Sequence, residues 1–484
     1  MSELTFFCDL ADATTPFPHF WEHGVGSDHA PMTLRADWQS QLQRSHADLG
    51  FQYVRFHELL SDDMGIVGRE RNDLRYSFFN IDQSFDFLLS IGMKPFVELS
   101  FMPLALASGK KTVFNYAANV TPPRDYRKWA ALITRLVSHW VQRYGVKEVR
   151  TWFFEVWNEP NLPAFWTGTQ RDYFKLYRYT AEAVKTVDGL LRVGGPATAK
   201  SEWIEEFVDF CDRHHVAADF ISTHHYPTDG CEDDPDTEVQ LFKSQRGIMR
   251  QVAQDTHRRA QGRPVYYTEW NSSSNGRDPL HDDPYAAAFA ASTIMEAKGL
   301  VEGYSFWTFS DLFEECSMPS APFHGGFGLL TLHGIPKPTY RAFELLHDLG
   351  TEQSLVDGLH DTVDCQVIKK DSSVTLLLTN HTTPGHSIKL EHVEIRLNHA
   401  PEPRAAHIRR VDADHAYAKR VWHEMGRPEY LSGKDVERLQ KVSAVVAEKQ
   451  RVSYYDGAIV VKTMLPPHAV AAITIEFKNR GARR

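Results

Sequence analysis

Thr151-Trp152-Phe153-Phe154-Glu155-Val156-Trp157-Asn158-Glu159-Pro160-Asn161 is a run of strand length that stops at polar residues and a proline. Ahead of it Trp129, Leu132, Ile133, Leu136, Val137, Trp140, Val141 and Tyr144 recur at steps of three and four. One face of a long helix is therefore apolar and needs a sheet to cover. Working outward, six further apolar runs share the strand reading, at 51–56, 94–101, 191–195, 219–223, 265–268 and 304–308. An eighth, shorter one lies at 24–26, before a helical segment at 36–49, and helical patterns at 81–89 and 284–297 fill other gaps. Strands that are apolar nearly throughout, each followed by a helix, imply a parallel sheet covered by helices. Eight such units predict an α/β fold of the closed (β/α)8 TIM barrel type. No Gly-x-Gly-x-x-Gly follows any of these runs, so a dinucleotide-binding sheet lacks its main sequence support.

Beyond 338–349 the pattern changes to alternation, as in Val374-Leu376-Leu378, Val393-Ile395-Leu397 and Ile473-Ile475-Phe477. Period two signals half-buried antiparallel sheets. The expected division is a catalytic barrel over 1–347 and a C-terminal antiparallel β-sandwich over 348–484. A helical insertion is expected near 433–447, where Val436, Leu439 and Val442 share a face, and the first residues of the chain are candidates to pair with the sandwich.

The chain has 484 residues, of which 42% are hydrophobic and 24% charged, enough for more than one core and incompatible with a disordered or collagen-like chain. With 53 basic and 63 acidic side chains the net charge is −10, which argues against a nucleic-acid partner. The N-terminus carries Glu3 where a signal peptide needs basic residues, and no apolar run approaches the ~18 residues of a membrane span. Five cysteines, Cys8, Cys211, Cys231, Cys316 and Cys365, are odd in number and widely spaced, the pattern of neither a disulfide framework nor a zinc cage. The expectation is a reduced, cytoplasmic protein with no membrane partner. The sequence leaves its oligomeric state open.

In a (β/α)8 barrel the active site forms at the C-terminal ends of the strands. Two candidate strands end in glutamate: Glu159 after the fourth, and Glu269 in Tyr266-Tyr267-Thr268-Glu269-Trp270-Asn271 after the seventh. Alone, each could be a solvated or salt-bridged strand end. Together in one mouth they are the apparatus of glycoside hydrolysis, one protonating the leaving oxygen while the other attacks the anomeric carbon or activates water. Asn158 offers an amide to a sugar hydroxyl, and Trp157 and Trp270 offer apolar faces to the C–H side of a ring. Glu98 and Glu155 are further strand carboxylates. Glu155 shares the pleat parity of Glu159 but sits deeper, which suits a buried structural role. Trp307 at the end of the eighth strand is either core or a platform beneath a sugar. Phe114, Phe165 and Trp166 fall in loops that could narrow a pocket. The histidines show no recognisable zinc spacing, and two would leave a catalytic zinc one ligand short, so neither metal nor cofactor is expected.

Several segments, in order, resemble family 39 of the glycoside hydrolases, barrel glycosidases of clan A, and most of all their β-xylosidase branch. They are Arg55-Phe56-His57-Glu58-Leu59-Leu60-Ser61-Asp62-Asp63-Met64-Gly65, Trp157-Asn158-Glu159-Pro160-Asn161-Leu162 and Thr268-Glu269-Trp270-Asn271. Phe309-Ser310-Asp311-Leu312-Phe313-Glu314-Glu315, Phe323-His324-Gly325-Gly326-Phe327-Gly328 and Pro336-Lys337-Pro338-Thr339-Tyr340 continue the set, and the tail around 428–439 extends the resemblance over nearly the whole chain. It implies a retaining exo-β-1,4-xylosidase that takes xylose from the non-reducing ends of xylo-oligosaccharides. In that reading Glu159 is the general acid/base and Glu269 the nucleophile. Tyr226, in His224-His225-Tyr226 after the sixth strand, would hydrogen-bond the nucleophile. His57, His224 and Glu315 would bind sugar hydroxyls, with Glu314 competing for the role of Glu315, and Trp307 would lie beneath the ring. The alternatives keep the machinery and change the sugar to an α-L-arabinoside, a β-glucoside or an α-L-iduronide, or drop turnover for carbohydrate binding. An iduronide needs a cation for its carboxylate, and at the matched strand ends only Arg55 offers one.

Overall fold

The computed structural model describes residues 4–70, 73–230 and 234–478. The eight expected runs become strands β1 (Gly24–His29), β2 (Tyr53–His57), β3 (Lys94–Leu99), β4 (Phe153–Val156), β5 (Arg192–Thr198), β6 (Phe220–His224), β7 (Val265–Trp270) and β8 (Gly303–Phe306). They close into a barrel in sequence order, every neighbour parallel. A helix follows each strand, among them Tyr126–Tyr144, which Asp125 caps by accepting from the Arg127 amide. Its Trp129, Leu132, Ile133, Leu136, Val137 and Trp140 are all buried on the barrel, each contributing about 1.5–3 kcal/mol by area. Helix Gln170–Val187 starts in a capping box between Thr169 and Asp172.

Inside the barrel the strand period of two sorts side chains into layers. Tyr53, Phe96, Phe153 and Phe220 pack with Tyr266 at the N-terminal end. His23 joins them, stacked 4.6 Å from Tyr53. Two residues further along the strands come Arg55, Glu98, Glu155 and Thr268, buried and polar. β7 then gains a residue against β6: Thr223 pairs with Tyr267 and His224 with Glu269, so Thr268 has no partner in the register. Such a bulge re-aims side chains. Here the consecutive Thr268 and Glu269 both bond to groups in the barrel interior, Glu155 and Arg55.

The barrel's last helix, Pro338–His347, leads to strand Glu352–Ser354, the first of the C-terminal strands. Two sheets of four and seven strands enclose a core that includes Phe6, Cys8, Val367, Leu376, Ile395, Val461 and Ile473. Leu4–Asp9, from the chain's start, does join this sandwich, running parallel to Glu391–Asn398. Every other strand pair described in the two sheets is antiparallel. Helix Gly433–Val442 lies where the insertion was expected, and a second helix, Ala418–Glu424, precedes it. Trp422 of that helix packs 5.5 Å from Phe323, in the segment that follows β8. Cys8, Cys211 and Cys365 are buried thiols and Cys316 an exposed one; Cys231 lies outside the described residues. No helix among the described residues is long and apolar enough to cross a membrane.

Candidate active site

A cavity of about 260 Å³ opens at the C-terminal mouth of the barrel. Seven of the eight residues singled out from sequence line it: His57, Asn158, Glu159, Tyr226, Glu269, Trp307 and Glu315. The eighth, His224, was expected to meet sugar hydroxyls but stands behind Glu159 with no exposed surface. Its Nδ1 lies 2.9 Å from Glu159 Oε1 and its Nε2 lies 3.1 Å from Thr268 Oγ1, so both nitrogens are occupied within the protein.

Arg55 organises the floor. Its Nε donates to Glu155 at 2.5 Å, Nη1 to Glu269 Oε1 at 2.7 Å and Nη2 to Asn158 Oδ1 at 2.9 Å, while Nη2 also stands 2.8 Å from Glu98 Oε2. Burial works against the guanidinium charge, but Glu155, Glu98 and Glu269 outweigh it and raise its pKa above the ordinary value. The same balance acts on His57: burial opposes its charge, and Glu98, 2.7 Å from Nδ1, raises its pKa. In return, Arg55 and His57 overcome the burial of Glu98 and hold it below the usual carboxylate range. Arg55 is thus consumed by carboxylates of its own barrel. Glu155 has the structural role expected of it. At Glu269 the second oxygen accepts from Tyr226 Oη at 3.0 Å. The chain entering Glu159 is folded sharply, with Trp157 at φ 71° and Glu159 at φ 45°, and the Glu159 amide donates to Ala197 O at 2.8 Å. Non-glycine residues take that region where the surroundings over-determine them, as they do around functional sites.

The glutamate doublet divides. Glu314 turns to His29, 2.9 Å from Nε2, and its amide donates to Asp28. Glu315 faces the cavity, its Oε1 without a hydrogen bond among the described residues and 3.4 Å from His57 Nε2. Burial, then Asp28 and Glu269, push its pKa well above the carboxylate range. Burial and the surrounding carboxylates thus favour its protonated form, in which a carboxyl can donate as well as accept.

Trp307 packs with Tyr226, Phe313 and Phe327 as an apolar wall. Gly26 makes room for it: a Cβ there would stand 2.2 Å from the indole. Phe114 and Phe165 line the cavity as the loop reading proposed, whereas Trp166 is buried against Trp157 and away from it. Trp157 and Trp270 correct the sequence reading too. Neither lines the cavity: Trp157 donates to Phe165 O, and Trp270 stacks 4.3 Å from Tyr304, outside the ring of strands. Lys200, Cys316 and Phe327 line the cavity and escaped sequence reasoning. Strand-end position was the signal used, and these three come from loops.

Glu159, His224 and Glu269 each bring one donor atom within 4.8 Å of the others, as do Asp28, His29 and Glu314. Coordination by either histidine would break a hydrogen bond, since both nitrogens of each are engaged. A larger cavity of about 590 Å³ between barrel and sandwich is lined by Arg246, Glu296 and Asp364, far from any strand-end glutamate pair.

The whole chain is similar to known proteins. The chain is 48% identical to a β-xylosidase of Caldicellulosiruptor saccharolyticus, over 94% of this chain and 95% of that one. It is 39% identical to a β-xylosidase of Geobacillus stearothermophilus, over 95% and 93% of the two chains. The solved structure of a β-xylosidase from Caulobacter crescentus superposes with a TM-score of 0.83 at 34% identity, covering 98% of this chain and 99% of the other. The sequence model of the glycosyl hydrolases of family 39 matches residues 7–460, and the chain belongs to that family.

Proposed function

We propose that the protein is a retaining, exo-acting β-D-xylosidase that removes xylose from the non-reducing ends of xylo-oligosaccharides. The observation that carries the mechanism is the approach of Glu159 and Glu269, one oxygen of each within 4.8 Å of the other. Retention calls for carboxyl groups about 5–5.5 Å apart, whereas inversion holds them roughly 6.5–9.5 Å apart to admit a water. Glu269, with Arg55 and Tyr226 donating to its two oxygens, attacks the anomeric carbon as the glycosidic C–O bond breaks. Glu159 gives its proton to the departing oxygen. In the second step Glu159 takes a proton from water, which displaces Glu269 and restores both carboxyl groups. The relatives named β-xylosidase, aligned over nearly their full lengths, support the sugar. Exo action is supported by a cavity floored by the Arg55 layer and walled by Phe114, Phe165, Trp307 and Phe327.

The test is a panel of nitrophenyl β-D-xyloside, β-D-glucoside, α-L-arabinopyranoside and α-L-arabinofuranoside, with an α-L-iduronide added because Lys200 lines the cavity. Xyloside preference with β-xylose as first product by NMR is expected. Glu269→Ala should be inactive, and azide should rescue it to the α-xylosyl azide. A β-azide would reverse the assignment of nucleophile, and an inert panel would favour a carbohydrate-binding protein.

A further inference from the structure

Behind Glu159 three hydrogen bonds run in series. Thr268 Oγ1 donates to Glu155 Oε1 at 2.8 Å, His224 Nε2 lies 3.1 Å from that Thr268 oxygen, and His224 Nδ1 lies 2.9 Å from Glu159 Oε1. Glu155 is clamped by Arg55 and can only accept. A threonine hydroxyl has one proton, and here it goes to Glu155. Thr268 must then accept from His224, which fixes the imidazole proton on Nε2. Burial lowers the His224 pKa to about 4, so the ring is neutral at ordinary pH and its Nδ1 is a bare lone pair. A hydrogen bond between bare Nδ1 and Glu159 Oε1 exists only when Glu159 supplies the proton.

We infer that Thr268 is a positioning residue which, by fixing the tautomer of His224, keeps the acid/base glutamate Glu159 protonated between turnovers. The inference rests on the acid/base role proposed for Glu159. It serves both steps. Before cleavage Glu159 holds its proton against the leaving oxygen. After the proton has moved to that oxygen, the new carboxylate faces a lone pair rather than an N–H, and its affinity for a proton from the incoming water rises. No proton leaves or enters the His224–Thr268–Glu155 chain during the cycle.

Other charges act on the same group. Glu269 faces His224 Nδ1 at 3.5 Å from β7, Glu155 comes from β4, and Arg55 and His57 from β2. Glu315 and Tyr226 reach Glu159 from the segments after β8 and β6, and Lys200 lines the cavity from the segment after β5. Thr268 does not titrate, so replacing it changes the tautomer while every titratable group around Glu159 stays in place.

The experiment is the pH dependence of kcat/KM for an unactivated alkyl or phenyl xyloside. In the wild type an alkaline limb is expected, and its absence in Glu159→Gln assigns it to Glu159; a limb that survives in Glu159→Gln overturns the acid/base reading itself. In Thr268→Val the His224 proton is released to Nδ1, where it stabilises the Glu159 carboxylate. The limb should move to lower pH by about one unit, the equivalent of one hydrogen bond. Thr268→Ala should behave alike if the valine variant does not fold, and Thr268→Ser should restore the wild-type limb. At neutral pH the loss should be larger for the unactivated xyloside than for nitrophenyl xyloside, which needs little protonation. With the limb assigned to Glu159, an unmoved limb or one displaced to higher pH in both the valine and alanine variants overturns the role of Thr268 alone.

Discussion

The two ends of the barrel are built from the same strands, one pleat apart, on opposite principles. Tyr53, Phe96, Phe153 and Tyr266 at the N-terminal end are followed two residues later by Arg55, Glu98, Glu155 and Thr268. Aromatic rings need only area and shape, so each contributes to the lower layer nearly by itself. The upper layer is stable only as a set, because a buried guanidinium or carboxylate is tolerated when every partner is present and is costly when one is missing. One end is held ring by ring through apolar area, and the other by the charge set that surrounds Glu269.

Removing the centre of the set should have the largest effect. Arg55→Met leaves Glu98 and Glu155 buried without their cation and frees Glu269 from its donor, so a loss of about 3–5 kcal/mol is expected together with loss of turnover. Urea unfolding and xyloside hydrolysis read the two consequences; unchanged stability would show that the layer is not a charge set. At the other end Phe153→Ala removes a ring stacked 5.0 Å from Phe96, at a cost of about 3 kcal/mol. There kcat/KM per folded molecule should stay unchanged, and a parallel fall in activity would mean that the layers are mechanically coupled.

The two ends also titrate in opposite senses. Burial, with Arg192 nearby, lowers the His23 pKa to about 3, below its value near 6.5 in the unfolded chain. Its neutral form is the folded one, so this stability is present above pH 6.5 and is lost as pH falls toward 3. At the mouth burial opposes the charge of His29, but Glu58, Asp28 and Glu314 raise its pKa to about 9. That contribution is present below pH 6.5 and is lost as pH rises through 9. His23→Gln should therefore flatten the acid side of the stability profile, worth about 1 kcal/mol per pH unit below 6.5, and leave the alkaline side in place. Flattening on the alkaline side instead would contradict the assignment.

What the sequence disclosed follows the same division. Strand runs were legible because period and length are local properties, and the meeting of Glu159 and Glu269 in one cavity because both end strands whose C-terminal ends share one barrel mouth. The orientation of Trp157 and Trp270 was not legible, since it depends on the positive φ at Trp157 and on the extra residue in β7. The burial of His224 behind Glu159 and the arrival of Lys200 and Phe327 depend on loop paths that no period encodes. Helix Ala418–Glu424 is short, and its apolar side is completed by Phe323 from the barrel, so its partner is invisible in its own sequence.

That helix supplies the smallest and most discriminating prediction, because it tests whether the mouth, unlike the aromatic end, leans on the other domain. Lys419 Nζ donates to Pro279 O at 2.9 Å and to Asp283 Oδ1 at 2.7 Å, and Tyr417 Oη donates to the same carboxylate. The neighbouring Asp282 accepts from the Gly325 amide at 2.8 Å, and Lys337 Nζ joins Asp282, Asp311 and Gly326 O within 2.8 Å. One residue further on, Phe327 forms the cavity wall with Trp307. A line of ion pairs and hydrogen bonds thus runs from the second domain to the apolar wall of the cavity. Asp283 is 26% exposed at its side chain and water can replace the lost ammonium, so Lys419→Met should cost under about 1 kcal/mol. If the line positions Phe327, KM for the xyloside rises while kcat holds, and Lys419→Arg, which keeps a donor on Asp283, restores KM. An unchanged KM would mean that the barrel holds the wall unaided, and that the second domain is as indifferent to the mouth as it is to the aromatic end.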